Sequence, residues 1–239
     1  MAFQPIVNLT TRQVFAQEAL VRGPNQESAA EILSRVNDDN RYRFDQACRV
    51  KAVQLAAQLG VQSLVSINFM PNAVYRPELC IRTTLEAAVA SGFPVERIVF
   101  EITEAEKIED TKHLRAIVQH YRTRGFRTAI DDFGAGYSGL NLLAELQTDF
   151  IKLDMALIRH IDRDRPRQAI VRGILQVCRD LGIAPIAEGV ETAEEVRALE
   201  DFGIELFQGY YFARPAFEAQ AVVSFGAENR ATRPERGPG

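Results

Sequence analysis

The sequence predicts an α/β fold, a TIM-like (β/α)8 barrel whose first strand runs antiparallel to its neighbours. Three observations predict it. Eight short segments rich in β-branched and aromatic residues are bounded by turn signals. Amphipathic helical stretches separate the later segments, giving a repeated strand-then-helix order. Only Leu9 to Gln13 separate the first two, and a parallel crossover needs a dozen or more residues, so that pair has to be antiparallel. An open doubly wound sheet is the competing arrangement of the same elements.

In order, strands are expected at Phe3 to Asn8, Val14 to Val21, Leu64 to Met70, Ile98 to Thr103, Thr128 to Phe133, Phe150 to Asp154, Ala184 to Val190 and Leu206 to Ala213. Helices are expected at Tyr42 to Leu59, Pro77 to Ser91, Thr111 to Arg124, Gly139 to Leu146, Arg167 to Leu181 and Ala193 to Phe202. Gly60, Gly92, Gly125, Gly182 and Gly203 stand just past the last apolar position of their patterns, where a left-handed helix stop is required. No Gly/Ser-rich or proline-rich linker interrupts residues 1–225, which read as one barrel domain. Beyond Phe225 the run AENRATRPERGPG has charge, proline and glycine with almost no large apolar residue, so 226–239 read as a disordered tail.

The composition agrees with a folded domain. Of 239 residues, 46% are apolar and 25% charged, and a chain of this length buries roughly 70 to 75% of its unfolded surface without help from disulfides. The net charge of −4 and the lack of a long basic stretch argue against duplex nucleic acid as a partner. No apolar window approaches a membrane span, and Met1-Ala2-Phe3-Gln4-Pro5 lacks a basic region followed by an apolar run. A cytoplasmic location is the expectation. Cys48, Cys80 and Cys178 are far apart and odd in number; Cys48 and Cys178 fall on apolar helical faces (Phe44, Cys48, Ala52, Leu55, Leu59; Ile170, Ile174, Cys178, Leu181), so packing is their expected role.

The main functional signal lies at the strand ends. Every strand from the second onward finishes with polar residues embedded in apolar sequence: Glu18, Asn68, Glu101, Asp131 with Asp132, Lys152 with Asp154, Glu188, and Gln208. In a barrel these ends converge on one mouth, where enzymes of this architecture keep their chemistry. Glu18, Leu20 and Arg22 are two apart and share a face, as do Lys152 and Asp154. Asp131 and Asp132 both reach the mouth only if the strand ends there, with Gly134 and Gly136 as its exit. Taken singly, a Glu or Asn at a strand end is more often a cap or turn former; seven in one register are harder to dismiss.

The six carboxylates Glu18, Glu101, Asp131, Asp132, Asp154 and Glu188 stand against Arg22 and Lys152, leaving about −4 in one cleft. Carboxylates at that density must raise their pKa values or bind cations. Two divalent ions balance the count. With oxygen donors only, from the carboxylates and the Asn68 amide, Mg²⁺ or Mn²⁺ is favoured over Zn²⁺. Two such ions near ~4 Å apart form a clamp for phosphodiester hydrolysis by in-line attack of water. Lys152 as a Schiff-base lysine is the alternative, but Asp154 beside it argues against the apolar or cationic setting such a lysine needs. His113 and His120 lie seven residues apart, about 10 Å of helix rise, too far for one metal.

The motifs FQPIV (3–7), QEALVR (17–22), SINFM (66–70), FEITEAE (100–106), AIDDFGAGYSGL (129–140), FIKLD (150–154), AEGVET (187–192) and FQGYYFARP (207–215) resemble, in order and spacing, the EAL family of cyclic di-GMP phosphodiesterases. The resemblance runs from Phe3 to Pro215 and implies bacterial second-messenger signalling by Mg²⁺- or Mn²⁺-dependent hydrolysis of cyclic di-GMP to linear pGpG. It implies metal ligation by Glu18, Asn68, Glu101, Asp131, Asp132 and Glu188. Lys152 is similar to the group that holds and activates the attacking water, with Gln208 near that water. Glu191 matches an acidic residue tied to Lys152 and the metal site, and Glu104 matches a glutamate that steadies the loop after Asp132. Gln4, Leu20, Arg22 and Asp154 match nucleotide contacts, Arg22 being suited to a phosphate.

Two departures lie in the loop, where the family's common DFGTGYSSL is here DFGAGYSGL, with Ala135 and Gly139. Two hydroxyls are missing, so changes in rate are expected before loss of activity. Three functions are therefore weighed: an active phosphodiesterase, a catalytically weak module of the same fold that binds cyclic di-GMP or docks on a protein, and a two-metal hydrolase for another phosphodiester such as pGpG. The cleft's charge does not distinguish guanine from adenine; only the resemblance names the base. The family also implies a homodimer through the segment after the loop, where Leu140, Leu142, Leu143 and Leu146 offer apolar surface or, equally, the inner face of a barrel helix. With the whole stretch assigned to one barrel, nothing in these residues remains for a sensor.

Overall fold

A link this short between the first two strands forces a hairpin. β1 (Ala2–Asn8) pairs antiparallel with β2 (Gln13–Leu20), with Gln4 opposite Glu18. The computed structural model describes residues 1–74, 76–103, 110–135 and 139–226. After the hairpin come α1 (Ala29–Leu33), α2 (Arg41–Gln58), β3 (Leu64–Phe69), α3 (Pro77–Cys80), α4 (Arg82–Ser91) and β4 (Ile98–Thr103). The second half holds α5 (Thr111–Thr123), β5 (Arg127–Phe133), α6 (Gly139–Glu145), β6 (Phe150–Leu153), α7 (Met155–Ile158), α8 (Arg165–Leu181), β7 (Ala184–Ala187), α9 (Ala193–Asp201), β8 (Leu206–Phe207) and β9 (Ala216–Phe217).

Strands β2 to β8 follow one another in parallel, and β1 closes the ring by pairing antiparallel with both β2 and β8. The closed eight-stranded barrel replaces the open-sheet alternative. β9 adds a short antiparallel flank to the first residues of β1. Because β1 runs the other way, its beginning lies at the mouth, which brings Gln4 level with Glu18.

Two apolar layers hold this arrangement. One lies between strands and helices, with Phe3, Val65, Ile67, Phe100, Ile102, Ile130, Ile151 and Leu153 buried against α2, α5 and α8. The other lies inside the barrel and takes one residue from each strand: Ile6, Ala16, Leu64, Val99, Ala129, Phe150, Ile186 and Leu206. That inner layer is a dry floor, and the next inward position along each strand, two residues nearer the mouth, stands on it.

Several boundaries differ from the sequence reading. The helix expected over Pro77 to Ser91 is divided at Ile81 into α3 and α4. The last two barrel strands are short: β7 ends at Ala187, ahead of Gly189 with φ 65°, and β8 ends at Phe207, ahead of Gly209, whose absent Cβ would lie 2.1 Å from the Val190 carbonyl oxygen. α1, α7 and β9, of five, four and two residues, are too short to show a hydrophobic period and are absent from the sequence reading. Along α2 the buried stripe is Asp45, Arg49, Ala52, Val53 and Ala56, whereas Phe44 and Cys48, expected in the core, are half-buried. Cys80 and Cys178 are buried, all three cysteines are free, and burial pushes the Cys48 and Cys178 thiols up to about 11. Of the expected tail, 227–239 lie outside the described residues.

Candidate active site

Above the dry floor, each of the eight strands contributes one polar side chain at the same level: Gln4, Glu18, Ser66, Glu101, Asp131, Lys152, Glu188 and Gln208. Each stands two residues from its partner in the floor. Period-2 alternation places them on the inner face, and the barrel makes them a ring. Seven of the eight are buried and Glu188 is nearly so.

Lys152 is 1% exposed and sits at the centre. Its Nζ lies 2.7 Å from Glu188 Oε1, 2.8 Å from Asp131 Oδ1, 3.1 Å from Glu101 Oε2 and 3.2 Å from Glu18 Oε2. Burial pulls its ammonium down, but Asp131, Glu101, Glu18 and Glu188 together outweigh that and hold it well above the ordinary lysine range. One cation among four carboxylates leaves the ring strongly anionic. Accordingly burial, opposed by Lys152, pushes Glu101 and Glu188 well above the usual carboxylate range. Glu18 moves the other way: burial raises it, but Lys152 and hydrogen bonds from Gln208 and Asn68 bring it below.

Glu18 is held from two sides. Asn68 donates from Nδ2 to its Oε1 at 3.0 Å, and Gln208 donates from Nε2 to its Oε2 at 2.7 Å. Gln208 also donates to Gln4 Oε1 at 3.4 Å, while Gln4 donates to the Ala213 carbonyl at 3.3 Å. Gln208 Oε1 is buried with no hydrogen-bond partner among the described residues, leaving an acceptor open for a water.

Asp131 and Asp132 reach the mouth by a different route from the one expected. β5 ends at Phe133, as expected, with that residue back in the core, and it is the β5–β6 register shift between Ile130 and Phe133 that turns both aspartates to the mouth. Asp132 takes up the irregularity with φ 53°, a left-handed conformation costly for most residues but better tolerated by Asp. Burial and the neighbouring Asp131 raise its carboxyl to about 6.

The donors suit hard divalent ions. Carboxylate oxygens of Glu18, Glu101 and Asp131 lie within 4.8 Å of one another, as do those of Asp131, Asp132 and Glu188. Asp131 belongs to both groups, so two adjacent ions would share it, and every donor is oxygen.

Around the ring the mouth opens into two cavities. One, of 240 Å³, is lined by Gln4, Glu18, Asp132, Asp154, Glu188, Glu191 and Gln208, with Met155 and Tyr210 at its side. The other, of 660 Å³, runs from Glu18, Asn68 and Asp131 out along Leu20, Leu33, Phe44 and Met70. Asp154 lines the first cavity while capping α7, its carboxylate accepting from the Ala156 N–H at 2.7 Å. Arg22 is half-buried and donates to the Val21 carbonyl at 2.7 Å.

Not every expected residue joins the centre. Glu191 lines a cavity but has no contact with Lys152; Arg159 holds it at the rim, with Nη1 2.5 Å from Oε2 and Nη2 3.1 Å from Oε1. Glu104 lies outside the described residues, as do residues 136–138. Of the four leucines after that loop, Leu142, Leu143 and Leu146 are buried within the chain, and Leu140 alone is 62% exposed. Ser66 is a ring residue that the polar strand ends do not mark. It is buried in the ring and donates to Glu101 Oε1. Its signal was the two-residue spacing from Asn68.

Comparison with known proteins matches this geometry. The family model of the EAL domain matches residues 1–215. The chain is 34% identical over 214 residues to the blue light- and temperature-regulated antirepressor BluF of Escherichia coli, covering 89% of this chain and 53% of BluF. It is 32% identical over 163 residues to the cyclic di-GMP phosphodiesterase PdeB of Shewanella oneidensis, covering 68% of this chain and 19% of PdeB. The chain thus spans about half or less of the curated relatives it matches. A standalone EAL protein from Vibrio cholerae, solved with c-di-GMP bound, superposes with a TM-score of 0.91 at 59% identity over 94% of each chain. The manganese and cyclic di-GMP complex of Klebsiella pneumoniae BlrP1 gives 0.87 at 38% identity, over 93% of this chain and 56% of that one. Closed barrel, antiparallel first strand and matched sequence agree: this chain belongs to the EAL domain family.

Proposed function

We propose that this chain hydrolyses cyclic di-GMP to linear pGpG, using two divalent ions, Mg²⁺ or Mn²⁺, held in the polar ring. The observation that carries the reading is Lys152 at the centre of Glu18, Glu101, Asp131 and Glu188, with Asp132 beside them. A merely structural ring would pair its charges; this one has an excess of carboxylates over its single cation. Two relatives' names support the substrate, one a cyclic di-GMP phosphodiesterase and one a cyclic di-GMP complex with manganese.

Glu18, Asn68, Glu101, Asp131, Asp132 and Glu188 hold the ions. When bound, these lower the pKa of a water and offset charge on the phosphoryl oxygens. Lys152 orients that water, and Gln208 accepts from it through Oε1. Arg22 turns from the Val21 carbonyl to a phosphate oxygen, for which its planar fork is suited. Gln4, Leu20 and Asp154 contact the nucleotide, with an apolar wall for a base in the cavity along Leu20 and Phe44. Glu191 supports the centre from the rim, and Glu104 takes the role that the family resemblance implies for it.

A second reading is a catalytically weak module that binds cyclic di-GMP or docks on a protein. The missing hydroxyls at Ala135 and Gly139 and the similarity to a relative named an antirepressor favour it. A panel of cyclic di-GMP, pGpG and other cyclic dinucleotides, with the products separated by chromatography, decides. The proposal requires pGpG from cyclic di-GMP with Mg²⁺ or Mn²⁺ and none with EDTA; binding that ignores EDTA, without product over hours, supports the module instead.

The active form is a cytoplasmic homodimer, built around α6 with Leu140 at its surface. Separately, no described helix is long and apolar enough to cross a membrane. A sedimentation mass of one chain at micromolar concentration, with and without nucleotide, counts against the dimer.

A further inference from the structure

Helix α2 buries an ion pair that the ring chemistry does not use. Arg49 is 0% and Asp45 3% exposed, with Nη2 2.6 Å from Oδ2. The guanidinium lies over three rings, 5.1 Å from the centroids of Phe69 and Phe100 and 5.9 Å from that of Tyr121, and it donates to the Tyr121 hydroxyl at 2.9 Å. An interior ion pair gains little over apolar side chains of the same volume, so its placement calls for a reason other than stability.

The reason lies at the other carboxylate oxygen. Asp45 Oδ1 accepts from the Met70 N–H at 3.0 Å. The β3–β4 pairing ends at Phe69 opposite Ile102, so Met70 is the first residue of β3's exit and has no strand partner for that N–H. Two residues before it stands Asn68, whose amide donates to Glu18 Oε1. Asp45 also borders the 660 Å³ cavity, which suggests a ligand contact. Both its oxygens are already engaged, however, Oδ2 by Arg49 and by Gln46 Nε2 at 3.3 Å. With both oxygens held, the carboxylate is fixed in orientation toward the chain itself.

We propose that Asp45, braced by Arg49 against Phe69, Phe100 and Tyr121, is a positioning residue. It pins the mouth end of β3 through the Met70 N–H and so fixes Asn68 against Glu18. The tie runs from a helix outside the barrel to a side chain inside it. This inference rests on the reading of Asn68 and Glu18 as metal ligands.

The test compares two double variants with the parent chain, reading Mn²⁺ binding by calorimetry and hydrogen exchange at the Met70 amide in metal-free protein. Asp45→Leu with Arg49→Met removes the pair without stranding a charge, and takes the acceptor with it. Asp45→Asn with Arg49→Met also removes the pair but keeps a side-chain oxygen for Met70. The first is expected to stay folded, bind Mn²⁺ about tenfold more weakly and exchange Met70 faster. The second is expected to stay within about threefold of the parent in both. Should the leucine not fit, Asp45→Ala with Arg49→Met replaces it with the same expectations. Equal Mn²⁺ affinity and Met70 exchange in the two variants, whether both match the parent or both are weakened, overturns the inference. A parent chain that binds no Mn²⁺ overturns the metal reading, and Met70 exchange then still judges the tie by itself.

Discussion

Glu101 is wholly buried, and its two oxygens have different partners: Ser66 donates to one and Lys152 to the other at 3.1 Å. Lys152 divides itself among four carboxylates, so the serine is the donor that belongs to Glu101 alone. A hydrogen bond to a charged group contributes about 1.5–3 kcal/mol, and about 1.4 kcal/mol is a factor of ten in an equilibrium constant. Ser66→Ala is therefore expected to fold normally and to bind Mn²⁺ about tenfold more weakly by calorimetry, because an unheld carboxylate must be ordered by the ion itself. Unchanged affinity in the folded variant removes Ser66 from the site. Most of the ring was legible because charged residues stand out against apolar strands. Ser66 was not, since a serine in a strand is unremarkable until the floor beneath it is known. Asp45 and Arg49 were hidden for the converse reason: on a helix they read as a solvated i, i+4 pair, and only the three surrounding rings show that they are inside.

At the scale of elements, strand order and hairpin direction followed from connection length and pattern, while the irregularities did not. The Asp131-Asp132 pair illustrates this. Alternation alone sends neighbours to opposite faces, and the strand end expected as the remedy is instead a register shift with a left-handed residue inside β5. A backbone irregularity leaves no hydrophobic signature. The end of β8 is a second case. Gly209 lets the chain turn against Val190, whose N–H bonds the Gln208 carbonyl at 3.1 Å and whose carbonyl accepts from the Tyr211 N–H at 3.1 Å. A Cβ there would lie 2.1 Å from the Val190 oxygen and 2.4 Å from its nitrogen, both rigid backbone atoms. Gly209→Ala is expected to cost about 1–3 kcal/mol, as overpacking does, and to displace Gln208 from Glu18. Thermal melting and Mn²⁺ calorimetry together check this. A variant that matches the parent in both shows that the turn has room to relax.

For the molecule as a whole, the acidic centre makes stability depend on pH. Asp132 titrates near 6 in the folded chain, pushed up by burial and then by Asp131, against 3.8 for its ordinary value. The folded state thus holds a proton that the unfolded chain has released. Its contribution is complete below the lower value and is lost as pH rises toward the upper one. Asparagine imitates the protonated carboxyl and also tolerates the left-handed backbone. In EDTA, Asp132→Asn is expected to melt above the parent at pH 7.5, with the advantage shrinking by pH 4. Screening at a half-exposed carboxylate leaves about 1 kcal/mol, or roughly 2–4 °C for a chain of this size. An advantage independent of pH assigns the effect to backbone preference. Lys152, raised above its ordinary value despite burial, loses its contribution only in strong alkali and does not blur this window. Glu101 and Glu188 shift in the same direction as Asp132, pushed up by burial against the pull of Lys152.

As proposed, the ring around Lys152 is catalytic machinery and not only a binding surface. The most direct measurement is pGpG formation from cyclic di-GMP by the purified chain with Mn²⁺, alongside Glu18→Ala and Lys152→Ala shown to be folded. Product is expected from the parent chain, with a loss of at least about a hundredfold in both variants, the scale of removing one group that positions or stabilises the reacting centre. Equal turnover in the parent and the variants, or cyclic di-GMP bound but uncleaved by the parent, contradicts it.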